Sequence, residues 1–399
     1  MSSRTRAAHP SEAAVASVLA LVMASTTWTI HIFSVLGSLI IADLRIARWQ
    51  LGLLMTLSSL LAAGVSPLAG RVADKIGGRS TLVWALALSL FSVAIVSLGP
   101  TYGSLILGSL IAGSMSSLAN PGTNKLITDF LPLGRRGWVM GVKQSGVQAG
   151  IFGVGVALPG LSLLLGWRGA VAILGVIPIV LIVTVSRLFH KEHPSNRDVE
   201  GVISESEYSH SPTVRSLAIY AFFMGVGGAG ITSFLPLYAQ ESLGFGVAAG
   251  GYAAAGIGLV GIGSRIVLSR RAELSGEYWA VLRTMAWFSV VSALLLYFAQ
   301  WGATWILWPG VALAGVAVVS WNGVALLAAV ADAGRAGTGR ASGLVLSGFF
   351  AGLAVSPVTV GVTVDVTGNY DLAWSLVAGA FVVAALTLSR GDPMRDPAV

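Results

Sequence analysis

Twelve apolar runs of membrane-spanning length follow one another along 399 residues, beginning near residues 13, 50, 80, 103, 138, 169, 214, 247, 279, 303, 341 and 371. A short polar or Pro/Gly break separates each from the next. Because a bilayer core takes roughly 20 helical residues per crossing, twelve runs commit well over half of the chain to the membrane. Composition agrees. The chain is 55% hydrophobic and 10% charged, whereas soluble proteins carry about 25% charged residues. The expected fold is an all-α polytopic membrane protein of twelve transmembrane helices.

The pI of about 10 invites a nucleic-acid reading, so the placement of the bases decides. With the amino terminus inside, Arg45, Arg48 and Arg168 fall outside, which leaves 21 of the 24 Lys and Arg on the inner side. Such a bias orients a membrane protein and leaves no nucleic-acid footprint. Cys is absent, which excludes disulfides and thiolate metal sites. The first run follows Arg4, Arg6 and His9, is too long for a signal peptide's apolar region and lacks a clear cleavage site, so it reads as the first crossing.

One long polar stretch, rich in Lys191, Glu192, His193, Arg197, Asp198, Glu200, Glu205 and Glu207, divides the chain. The expected organisation is an N-terminal six-helix bundle over 1–189, an inner linker over 190–213 and a C-terminal six-helix bundle over 214–399. An internal repeat supports it. A shift of 202 aligns 108–150 with 310–352 without a gap and makes ten of 43 positions identical. Shared glycine bias inflates that count, but Asn120 matches Asn322, and both copies carry Gly-xxx-Ser-Gly-xx-Ala-Gly, from Gly141 to Gly150 and from Gly343 to Gly352.

The loop between the second and third runs reads Gly70-Arg71-Val72-Ala73-Asp74-Lys75-Ile76-Gly77-Gly78-Arg79. It resembles the loop signature of the major facilitator superfamily: Gly70, Asp74, Lys75, Gly77 and Arg79 match, and Gly78 stands where a base is usual. Asp129-Phe130-Leu131-Pro132 with Arg136-Gly137, Gly166-Trp167-Arg168, Phe234-Leu235-Pro236-Leu237-Tyr238, and Asp365 with Gly368 extend the resemblance over nearly the whole chain. It implies parallel repeats, rocking alternating access and a substrate near the midplane between the halves. It also implies a conformational gate of Gly70, Asp74, Lys75, Gly77, Arg79 and Arg136, with Asp74 holding the inner helix ends together when the outer side is open. The bland reading of Asp74 is a helix-capping acid among surface bases. The second-half copy of the loop is degenerate, with Ser269-Arg270-Arg271 in place of Ala73-Asp74-Lys75.

Two stretches, from Gly225 and from Gly256, fit the dinucleotide pattern Gly-x-Gly-x-x-Gly but lie inside apolar helices without any strand-helix-strand context. Gly146-xxx-Gly150 and Gly348-xxx-Gly352 are better read as close helix packing. The sequence holds no Gly-x-x-x-x-Gly-Lys-Ser/Thr phosphate loop, so a secondary transporter is expected, not an enzyme.

The repeat also shows which polar residues belong to one copy alone. Asn124, Lys125, Lys143, Gln144 and Gln148 face Leu326, Leu327, Val345, Leu346 and Phe350. Polar side chains within spans usually face a cavity or a partner, and Gln144 and Gln148 share one helix face. Lys143 stands about five residues inside its run, roughly 7 Å deep, where it either reaches a central cavity or snorkels to the inner surface. Lys125, beside Asp129, has the same two readings. Asn120 and Asn322 read as cavity or gate hydrogen bonders, or as interhelical bonds worth about 1 kcal/mol. Trp28, Trp321 and Tyr252 either line a pocket or serve packing and the interface. His31 suits proton coupling, or is a neutral core residue. Near mid-span there is no Asp or Glu.

The expected function is movement of a small solute, an organic or inorganic anion matched by Lys143 and Lys125, by rocker-switch alternating access. The alternative is proton-coupled efflux of lipophilic drugs or metabolites. Against that stand Ser109 at a position where the superfamily's drug/proton antiporters carry Arg, and the loss of Pro and Gly at Ile151 and Val154 in their fifth-helix pattern. A third reading is a non-transporting membrane receptor. The expected partners are the solute, the bilayer and protons as coupling ion, without cofactor, metal or nucleic acid. The chain is expected to act as a monomer in the cytoplasmic membrane, both termini inside.

Overall fold

The computed structural model describes residues 11–189 and 212–388, and every element in them is helical. The first crossing is α1 (Glu12–Val35), capped by the Ser11 hydroxyl accepting from the Ala14 N–H at 3.2 Å, and continues as α2 (Gly37–Leu44). Three more follow as α3 (Arg48–Ile76), α4 (Gly78–Leu98) and α5 (Tyr102–Phe130). The run α6 (Leu133–Leu174) holds a break at Gly166, whose φ of 68° and ψ of 167° turn the chain back. The fifth crossing therefore ends there, and the rest of α6 with α7 (Val176–Leu188) makes the sixth.

The second half opens with α8 (Pro212–Glu241), α9 (Val247–Ser275) and α10 (Tyr278–Ala299). A 3-10 turn and α11 (Leu307–Leu313) then lead through a π-helical turn at Ala314–Val318 into α12 (Trp321–Thr367), and α13 (Asp371–Thr387) closes the bundle. The Trp321 and Phe349 rings within α12 lie 5.4 Å apart. A straight helix would separate them by about 42 Å. The run therefore doubles back and supplies parts of both the tenth and eleventh crossings. Ten described segments are long and apolar enough to span a bilayer; one contains two crossings and α13 supplies another, which gives twelve. Almost all of the linker expected at 190–213 lies outside the described residues, and Pro212 and Thr213 already belong to α8.

Duplication is visible in the packing itself. The Ser92 hydroxyl donates to the Gly108 carbonyl at 2.7 Å, and the Ser292 hydroxyl to the repeat-matched Gly310 carbonyl at 2.8 Å. A Cβ on Gly146 would stand 2.1 Å from the Ala20 carbonyl oxygen, and one on its match Gly348 would stand 2.2 Å from that of Ala218. Gly150 against Ala24 and Gly352 against Phe222 repeat the contact one turn on. In each half, then, the fifth helix meets the first through bare backbone, as small-xxx-small spacing allows in lipid, where dispersion and not hydrophobic exclusion joins helices.

The halves join mainly along the face that carries Arg48. The Arg48 Nε donates to both Glu241 carboxylate oxygens at 3.1 and 2.9 Å, and its Nη1 donates to Asp365 at 3.2 Å. Asp365 also accepts the backbone N–H groups of Arg48 and Trp49, at 3.3 and 2.8 Å. A carboxylate from the second half thus caps the first turn of α3, whose own N-cap position is Ala47 and has no side-chain acceptor. Deeper in, Ser34 donates to the Thr232 carbonyl and Thr56 to that of Ala354, both at 2.7 Å. Towards the opposite face, which carries Asp74, Gly64, Gly70, Gly141 and Gly343 have open space where a Cβ would stand, and Leu60 and Leu68 are exposed. The conformer is closed at the Arg48 face.

Two outcomes follow from this packing. Gly146→Ala should lower the melting temperature of the purified protein, because overpacking costs about 1–3 kcal/mol, whereas Gly153→Ala, with nothing within 4 Å, should leave it unchanged. Equal melting of the two variants would contradict the close α1–α6 contact. Asp365→Ala removes charge-assisted bonds worth about 1.5–3 kcal/mol, so it should raise maleimide labelling of Ser34→Cys about tenfold or more. That thiol would be the sole one, since the chain has no cysteine.

Candidate functional site

Lys143 is the organising residue of the first half's interior. Helix α6 begins at Leu133, five residues before its apolar run, so Lys143 stands ten residues along it, roughly 15 Å from the helix start. Its side chain is 2% exposed. The ammonium donates to Asn120 Oδ1 at 3.1 Å, Thr123 Oγ1 at 2.9 Å and Asn124 Oδ1 at 2.6 Å, all from α5. Three donors meet three neutral oxygens, so the ammonium's hydrogen-bonding capacity is filled without a carboxylate. The snorkelling reading therefore does not describe this conformer: the side chain turns sideways into α5 instead of reaching for the surface.

Gln148, one and a half turns further along α6, points elsewhere. It is 3% exposed and its Oε1 accepts from Arg265 Nη1 at 3.2 Å, across the boundary between the halves. The approach is close because Gly258 and Gly261 of α9 lie directly against Gln148. Arg265 is ten residues before the end of α9, about 15 Å from it, so it stands at a level comparable to Lys143. Sequence reasoning passed over Arg265 because it falls outside the gapless stretch of the repeat. The available signal was a single Arg between Gly263-Ser264 and Ile266-Val267-Leu268 in an otherwise apolar run.

The other expected site residues divide. Gln144 and Lys125 are half-buried beside the Lys143 cluster on α6 and α5, and Asn120 is exposed at its edge. Asn322 keeps the repeat position of Asn120, but its Oδ1 is buried and lacks a hydrogen-bond partner among the described residues, since Val345 replaces the lysine. Trp321 is buried edge-on between Tyr220 and Phe349, at 5.5 and 5.4 Å, in the core of the second half. Trp28 is buried, and its Nε1 has no hydrogen-bond partner among the described residues. Nearby on α1, His31 is half-buried and makes no hydrogen bond or ion pair with a described residue. Tyr252 is 50% exposed on α9 and is not brought together with the cluster.

The loop residues sit at the far face. Gly77, with φ of 83°, makes the tight passage from α3 to α4 that a left-handed backbone requires. Asp74 and Lys75 are exposed, Arg79 is half-buried, and Gly70 faces open space. Arg136 donates to the Leu131 and Thr128 carbonyls at 2.8 and 2.7 Å, closing the end of α5. At the opposite face Asp43 pairs with Arg168 and accepts from Trp167 Nε1 at 3.2 Å, which ties the end of α2 to the turn at Gly166.

Comparison with known proteins gives the family. The model of the Major Facilitator Superfamily matches residues 17–357. The probable sulfoacetate transporter SauU of Cupriavidus necator is 25% identical over 390 residues, covering 90% of this chain and 89% of that one. Shorter matches are 28% identity over 185 residues to Polyol transporter 5 of Arabidopsis thaliana, and 31% over 117 residues to the quinolone resistance protein NorA of Staphylococcus aureus. In those two the matched region spans only 34% and 30% of the relative. Among solved structures, a bacterial homologue of the human lysosomal transporter Spinster, inward-facing and unoccupied, superposes with a TM-score of 0.74 at 16% identity, over 96% of this chain and 95% of that one. The nucleoside transporter NupG gives 0.75 at 14% identity, over 94% and 98%. With the family model covering most of its length, this multi-pass membrane protein belongs to the Major Facilitator Superfamily and is a transporter, not an enzyme.

Proposed function

We propose that the chain is a secondary transporter of a small organic or inorganic anion, which it moves by rocking its halves about the Lys143–Arg265 level. The observation that carries this reading is that, among the described residues, both cations are met only by neutral oxygens, from Asn120, Thr123, Asn124 and Gln148. A charge taken out of water is costly unless it is paired, and a bound anion would supply the missing partner. The probable sulfoacetate transporter, similar over nearly the whole chain, supports the same class of solute.

Orientation follows from the bases: the Asp74 face is cytoplasmic, both termini lie on that side, and the conformer is open inwards. Asp74, exposed here, would pair with the second half once that face closes. The efflux reading has the NorA match in its favour, but the match covers 29% of this chain. Ser109, where the antiporters carry Arg, is fully buried and donates to the Leu54 carbonyl at 2.6 Å as a packing bond. Protons, acting through His31, are the coupling ion in this reading, and the monomer is the working unit.

A thermal-shift screen of the purified protein against organic anions, inorganic anions, sugars and lipophilic cations tests the class, since a ligand at 100 times its Kd adds about 2.7 kcal/mol. Anions should stabilise the wild type and lose that effect in Lys143→Met, whose unliganded melting serves as control; stabilisation by lipophilic cations alone would replace this reading with efflux. His31→Gln should abolish uptake driven by a pH gradient in proteoliposomes while leaving the anion shift intact. Unaltered gradient-driven uptake would remove His31 from coupling.

A further inference from the structure

The two cations are not equivalent. Lys143 has spent its three donors inside the first half, whereas Arg265, among the described residues, uses one N–H of its five-donor fork, on Gln148. The ammonium also orients its neighbours. Because it takes the Oδ1 of both Asn120 and Asn124, their Nδ2 amino groups point away from it as donors. Asn120 is exposed and Asn124 half-buried, so these donors are not enclosed by the packing around the ammonium.

The charge balance is equally specific. Two positive charges lie at one level of the membrane, and no Asp or Glu in the described spans is hydrogen-bonded or ion-paired to either. A monoanion would leave one of them uncompensated. Gln148 offers the guanidinium a single neutral acceptor, whereas a carboxylate or sulfonate offers an opposite charge and two parallel N–H···O bonds.

We infer that the solute is an organic dianion that bridges the halves, one anionic end on the Arg265 fork in place of Gln148 and the other on the amide donors of Asn120 and Asn124. Lys143 is then a positioning residue: it fixes the two amides and supplies charge behind them without touching the solute. This deepens the anion reading and rests on it. Arg265 is the direct contact, and it belongs to the opposite half, so binding itself draws the halves together.

The test compares propionate, malonate and sulfoacetate as probes of similar size, by thermal shift and by counterflow in proteoliposomes with the full chain. Malonate and sulfoacetate should bind at least about tenfold more tightly than propionate, about 1.4 kcal/mol. That advantage should vanish in Arg265→Gln, persist in reduced form in Arg265→Lys, and vanish in Asn124→Leu, which installs the residue of the repeat partner Leu326. Unliganded melting of each variant reports whether it folds, and Arg265→Lys keeps the comparison open where Arg265→Gln does not. Equal affinity for propionate and malonate would overturn the dianion while leaving an anion carrier. An undiminished dianion advantage in folded Arg265→Gln would overturn Arg265 as the anchor. Absence of stabilisation by any of the three in the wild type would defeat the anion reading beneath both.

Discussion

Helices in lipid gain nothing from hiding apolar side chains from one another, so their association depends on how closely two backbones can come. In this protein the boundary between the halves is built on that constraint. Gly52 lies against the Pro357 carbonyl, Gly361 against that of Arg48, Gly155 against that of Gly251, and Gly258 against that of Gln148. Contacts of this kind interlock few side chains. The halves can therefore be held together by a small number of polar bonds at one face, and released when those bonds are lost, without unpicking a knobs-into-holes core.

Much of the architecture was legible because membrane crossing leaves a one-dimensional record. The starts of the apolar runs fall within a few residues of the helices, and the repeat in 108–150 and 310–352 reappears as matched serine and glycine contacts. Less was legible where backbone geometry, not hydropathy, decides. Helix α6 extends five residues before its apolar run because Leu133 to Gly137 continue the helix from the Pro132 cap, which places Lys143 deeper than composition implied. The tenth crossing is irregular, with 3-10 and π-helical turns around Pro309 and Gly315 that no hydrophobic period announces.

The site was half legible for a related reason. Comparing repeats singled out Lys143, Asn124 and Gln148 as polar residues facing greasy counterparts, and the structure puts Lys143 and Asn124 in one cluster and turns Gln148 away to the other half. What spacing could not give is rotation about the helix axis: Lys143 and Gln148 differ by about 140° at 3.6 residues per turn, so one looks into its own bundle and the other across the boundary. Arg265 was invisible to that comparison. Trp321 lies in the packed core of the second half and Tyr252 is exposed on α9, and spacing alone does not distinguish these places from a pocket wall. The asymmetry between halves is physical, too: Val345 at the place of Lys143 is buried, and the Asn322 oxygen meets no hydrogen-bond donor among the described residues.

The cap on α3 has a further meaning. Its first N–H groups are satisfied by Asp365, a residue more than three hundred positions away and in the other half. Helix ends are normally completed locally; here one helix is finished only while the two halves touch. Secondary structure and the contact between the halves are therefore coupled at this point, and the start of α3 is as well capped as an ordinary helix only while the Asp365 carboxylate stays against it.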